Sequence, residues 1–154
     1  AFSDAALLRF AGNATVDDTK TLGMSTLEGG AETYCVAPIV DTHSTGRVEF
    51  WAVGLGCCGK LANFECDQAG ESEVHSGYVV LDSRDADVWF DRIGKHFAPS
   101  IYRRDLFMKA VTLAESVHGV ASSPRPVMVR WSSRGRDRLQ AEAWLSLSLA
   151  MAGG

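Results

Sequence analysis

The chain has 154 residues, 46% of them hydrophobic and 22% charged, with a formal net charge of −4, 15 Gly, 4 Pro and 4 Cys. This is the composition of one globular domain, and it excludes wholesale disorder, collagen-like repeats and coiled coil. At this length a core buries roughly 68–70% of the unfolded chain's surface, so folding by itself demands neither metal nor disulfide, and a pI near 5.5 argues against a nucleic-acid partner.

Along the chain, Leu7, Leu8 and Phe10 after Asp4 predict a helical turn, and the Gly-, Thr- and Asp-rich stretch through Gly29-Gly30 predicts loop, so residues 1–31 form an N-terminal helical turn and loop. Glu32 to Val40 and Arg47 to Leu55 are dense in β-branched, aromatic and small apolar residues and predict a hairpin joined by the polar run Asp41 to Gly46. After Glu49 both alternating sets of the second strand are apolar, so it is covered on both faces and the hairpin is central. Residues 56–76 hold three of the cysteines in a polar loop that needs a restraint. Gly77 to Leu81 is a third strand. Asp82 or Ser83 then caps a first helix with Trp89, Ile93 and Phe97 on one face, ending before Pro99. Ser100 caps a second, in which Tyr102, Leu106, Ala110, Leu113 and Val117 trace a stripe widened by Phe107, Val111 and Ala114, and Gly119 stops it. Val127 to Trp131 follows Pro124-Arg125-Pro126 as a fourth strand, placed at an edge by the prolines. The expected architecture is α+β: a small, mostly antiparallel sheet with two covering helices over residues 32–131.

The C-terminus has a different character. From Arg125 onward five Arg face Asp137 and Glu142, a local +3, whereas residues 1–124 carry −7. Arg134, Arg136 and Arg138 precede a nearly uncharged run from Ala143 to Ala152, so residues 132–154 are expected to form an Arg-flanked apolar helix. It is shorter than the roughly 20 residues of a spanning helix. An interfacial helix, a protein-buried helix, the first half of a span and an ordinary terminal helix packed on the sheet all fit this pattern. On the first reading Arg134, Arg136, Arg138, Trp144, Leu145, Leu147 and Leu149 contact a partner or membrane, with lipid or pigment at the helix.

Cys35, Cys57, Cys58 and Cys66 lie within 32 residues, with none in the 88 that follow, which suggests one local disulfide framework. A bond between the adjacent Cys57 and Cys58 would strain the peptide between them, so each is expected to pair separately with Cys35 or Cys66, in an order the sequence leaves open. Reduced buried thiols and a zinc site are the alternatives, but zinc ligands commonly come in C-x2–4-C pairs, and this spacing has none. An opening Ala1-Phe2 without Met predicts either a processed mature chain or a trimmed one, and the first agrees with an oxidising compartment. Asn13-Ala14-Thr15 is a glycosylation sequon if the chain is exported.

Tyr34-Cys35-Val36-Ala37-Pro38-Ile39, Phe50-Trp51-Ala52-Val53-Gly54, the Cys57-Cys58 pair, Phe64-Glu65-Cys66-Asp67 and Val129-Arg130-Trp131 occur in that order. With Tyr78 to Leu81, Met108-Lys109-Ala110 and Ala114-Glu115, this resembles a cysteine-containing domain abundant in dinoflagellate algae, over about residues 32–131. The resemblance implies a domain on the non-cytosolic side of a membrane, often beside a transmembrane helix, with no established activity. Ala1-Phe2 also resembles the start of mature plastid proteins in algae with complex plastids. Together these imply a lumenal, non-enzymatic accessory subunit of a thylakoid complex, photosystem I first, with other subunits of that complex as partners and no cofactor of its own.

As chemistry, Asp41, His43 and Ser44 are the one tight acid–imidazole–hydroxyl group, yet they sit in a predicted turn where Asp, Ser and Gly are favoured for backbone reasons. His75, His96 and His118 are isolated, His118 suiting a helix C-terminus. Gly54, Gly56 and Gly59, with Lys60 followed by Leu61, match no phosphate-binding loop. Trp51, Trp89 and Trp131 read as core and Trp144 as an interface anchor. The alternatives to an accessory subunit are a thiol-redox or other soluble enzyme using Cys57 and Cys58, and a secreted binding module glycosylated at Asn13.

Overall fold

Two runs of β-branched, aromatic and small apolar residues make the centre of the molecule, as their composition dictates. In the computed structural model, which describes residues 7–27, 32–44, 46–80 and 104–133, the strands are β1 (Leu7–Arg9), β2 (Thr15–Val16), β3 (Leu22–Ser25), β4 (Thr33–Val40), β5 (Val48–Leu55), β6 (Ser76–Val79) and β7 (Ser122–Trp131), with one α-helix, α1 (Arg104–His118), and a 3-10 turn at Asp18–Lys20. They form a curled, half-barrel sheet in the order β1-β6-β7-β5-β4-β2, with β3 also on β4. β5 and β7 are parallel and every other pair is antiparallel.

The hairpin forms where its composition places it, with Val36 opposite Val53 and Ala37 opposite Ala52. Both strands are covered on both sides. Tyr34, Val36, Trp51, Val53 and Met128 point toward α1, while Cys35, Ala37, Ala52, Val129 and Trp131 point the other way. Pro38 has no N–H to donate, and it stands between the last β3 partner, Val36, and the first β2 partner, Ile39.

The α+β expectation with two covering helices and a C-terminal apolar helix is corrected: the described residues are mostly sheet, with a single α-helix. The segments expected to form the first helix and the C-terminal helix lie largely or wholly outside the described residues. Leu7–Arg9 is a strand and not a helical turn, because Leu7 and Leu8 pair with Tyr78 and Gly77. The stretch expected to be loop supplies β2 and β3 to the outer edge of β4. Three- and four-residue strands carry too little periodicity to announce themselves.

β7 is central, between β6 and β5, and not at an edge. Ser122 pairs with Val48 and Val127 with Phe50, so residues 123–126, with both prolines, are looped out against Glu49. A bulge is the other place where a sheet accommodates proline, since no ladder bond is lost there.

Within α1 the buried residues are Leu106, Phe107, Ala110, Val111 and Ala114, whereas Leu113 and Val117, assigned to the stripe from sequence, are exposed. Gly119, at φ 68°, closes the helix by donating its N–H to the Glu115 carbonyl, the left-handed stop that glycine permits without strain.

Candidate functional site: a sulfur cluster on a glycine platform

β3, β4 and β5 lie side by side, and their register puts Gly23 opposite Cys35 and Cys35 opposite Gly54. Alternation turns all three to the face away from α1, leaving a cross-strand row with one side chain flanked by two vacancies. The loop after β5 occupies that space. A Cβ on Gly23 would stand 2.6 Å from the Gly59 carbonyl oxygen and 3.0 Å from Cys58 Sγ; one on Gly54 would stand 2.6 Å from both Cys57 Sγ and Cys66 Sγ.

All four cysteines are bonded, Cys35 to Cys58 and Cys57 to Cys66, with Cα separations of 5.9 and 4.9 Å. Cys57 and Cys58 do pair separately, and the structure supplies the order: the strand cysteine takes Cys58. Each bond joins a buried sulfur residue, Cys35 or Cys66, to a partly exposed one. The two disulfides are in contact, because the Sγ atoms of Cys35, Cys57 and Cys66 all lie within 4.8 Å of one another.

The loop is shaped to reach this point. Asn63 and Asp67 adopt positive φ, 61° and 52°, a conformation Asn and Asp tolerate better than other side chains. The Glu65 N–H donates to the Cys57 carbonyl and the Gly23 N–H to the Lys60 carbonyl, both at 2.8 Å. Beyond Cys66 the loop is tied to β7: Arg130 grips Asp67 through two bonds of 2.6 and 2.9 Å. Gln68 Oε1 accepts from Ser132 Oγ and the Ser133 N–H. Phe64, Cys66 and Val74 turn inward and are buried.

The other residues singled out from sequence take structural places. Asp41 Oδ1 accepts from the His43 N–H and from Ser44 Oγ, closing the predicted turn; Ser44 is bonded to the carboxylate, not to the imidazole. The turn rims a cleft of about 690 Å³ beside Phe10, Ile39 and Phe50, with Lys20, Arg47 and Glu49 on its walls. His118 Nε2 is bonded to the Thr21 carbonyl and His75 Nδ1 to that of Ala14, each fastening a long-range contact. Trp51 and Trp131 are core, and Trp51 Nε1 donates to Ser122 Oγ. Asn13 is exposed, and its amide donates to Thr42. His96, Trp89, Arg134, Arg136, Arg138, Trp144, Leu145, Leu147 and Leu149 lie outside the described residues.

Gly23 went unmarked in the sequence reading, and Gly54 was weighed only as part of a phosphate-binding loop. Their signal was present, since a glycine inside a strand pattern marks a close approach of another backbone or side chain. Among the described residues no helix is long and apolar enough to cross a membrane. No family model, curated protein or solved structure matches the chain.

Proposed function

We propose that this chain is a non-enzymatic accessory domain working in an oxidising, non-cytosolic compartment, where it aids assembly or docking of a membrane protein complex. The observation that carries the reading is the complete use of its cysteines: two disulfides in contact, each with one buried end, staple a polar loop to the sheet. Such bonds persist where the environment does not reduce them. The role of Asp41 and Ser44 in closing a turn supports a non-catalytic reading. The resemblance to the dinoflagellate cysteine domain supports the non-cytosolic side of a membrane, and a thylakoid photosystem I assembly approached from the lumen is the first complex to test. The Arg-flanked apolar run of the C-terminal sequence is the proposed contact, through Arg134, Arg136, Arg138, Trp144, Leu145, Leu147 and Leu149.

The experiment is non-reducing peptide mapping of the protein taken from its native membrane fraction, with the co-migrating proteins identified. Cys35–Cys58 and Cys57–Cys66 peptides within a photosynthetic complex are expected. Free thiols in a soluble fraction would overturn the compartment and the complex together.

A further inference from the structure

The geometry points to a second state of the sulfur cluster: when a dithiol reductant opens both disulfides, Cys35, Cys57, Cys58 and Cys66 become a closed tetrathiolate site for zinc. In sequence these cysteines lack zinc-site spacing; in space they converge. Cys35, Cys57 and Cys66 have their sulfurs within 4.8 Å of one another, and Cys58 is joined to Cys35. Zinc–thiolate bonds of about 2.3 Å place tetrahedral ligand sulfurs about 3.8 Å apart, so Cys35 Sγ is already near ligand spacing from Cys57 Sγ and Cys66 Sγ; on reduction each bonded pair parts by about 2 Å, and Cys58 completes the set by turning in from its loop. Ligands from a strand and from both ends of one loop do the work of two C-x2–4-C pairs.

The surroundings fit an ion. Gly23 and Gly54 border the cluster without a Cβ that would enter it. Cys35 is held by β4, and Cys66 by its neighbours Asp67 and Gln68, which are bonded to Arg130 and Ser132. Both anchors are independent of the sulfur–sulfur bonds. Each disulfide takes two electrons and two protons from a dithiol, which leaves as its own disulfide. Zn²⁺ then displaces the four thiol protons, and four protein ligands leave no open position, the arrangement of a structural site.

The test uses the full chain, opened with a phosphine because dithiols themselves chelate zinc. Zn²⁺ is titrated against a chromophoric chelator and Co²⁺ is followed by its absorption. The expected result is one ion per reduced chain, a tetrahedral thiolate cobalt spectrum that denaturant abolishes, and no binding by the oxidised chain. Cys35→Ser and Cys66→Ser should each weaken binding by about tenfold or more, at least the loss caused by removing a residue that only supports a ligand. If reduction unfolds the chain, added zinc should restore resistance to protease. Absence of binding, equal binding in denaturant, unchanged affinity in both variants, or failure of zinc to restore the fold would each overturn the site.

Discussion

The two faces of the sheet are closed by different means. Toward α1, Trp51, Tyr34, Phe107, Leu106 and Met128 interlock, all essentially inaccessible. On the opposite face, beside the cluster of Phe10, Phe50, Val129 and Trp131, the row Gly23, Cys35, Gly54 and the pair Ala37–Ala52 present almost no side-chain volume, and there the cover is the polar loop of residues 56–75. Its buried Phe64, Cys66 and Val74 return roughly 1.5–3 kcal/mol each, against about 1–2 kcal/mol for every residue ordered. A helix with a wide apolar stripe is held by burial; a loop this polar needs cross-links, hydrogen bonds and an ion pair. The same sheet therefore carries a helix-packed core on one face and, on the other, an aromatic cluster of Phe10, Phe50 and Trp131 beside a covalent staple.

Five variants sharpen that contrast. Phe107→Ala, on the helix face, should cost about 3–5 kcal/mol, read as a lower midpoint in denaturant unfolding. On the staple face the loss should follow the span of the cross-link. Replacing Cys35 and Cys58 by Ser removes the bond of sequence separation 23 and should cost about 3.4 kcal/mol, against about 2.6 for Cys57 and Cys66 at separation 9. Equal losses would mean that the folded loop and not chain entropy sets the value. Gly54→Val adds a side chain where a Cβ alone meets two sulfurs. It should cost about 1–3 kcal/mol and expose titratable thiols in the folded protein, whereas the same change on an open surface would do neither. Leu113→Asn, on the exposed side of α1, should shift stability by less than about 0.5 kcal/mol despite its place in the helical repeat.

How much was legible followed the range of the interactions. The hairpin of β4 and β5 and the Gly119 stop of α1 are local matters, declared by residues a few positions apart. The buried set of α1 was only partly readable: Leu113 and Val117 keep helical spacing with Leu106 and Ala110, but the sheet meets α1 over Leu106, Phe107, Ala110, Val111 and Ala114. Periodicity identifies a face without saying how wide a contact its partner makes. β7 misled because a proline rule that holds for regular strands is lifted where residues 123–126 bulge. The N-terminal strands were missed because each is made a strand by its partner, β6 or β4, and not by its own few residues.

The sequence by itself determined that the domain is built around the β4–β5 hairpin, that helix α1 ends at Gly119, and that adjacent cysteines bond elsewhere than to each other. Tertiary structure alone decided which cysteines meet. Cys35 lies 23 residues from Cys58, and the choice between Cys57 and Cys58 rests on the register that aligns Gly23, Cys35 and Gly54 across three strands. Register is a property of strands paired over long separations, set by the fit of both faces at once, so it is absent from any local reading of the chain.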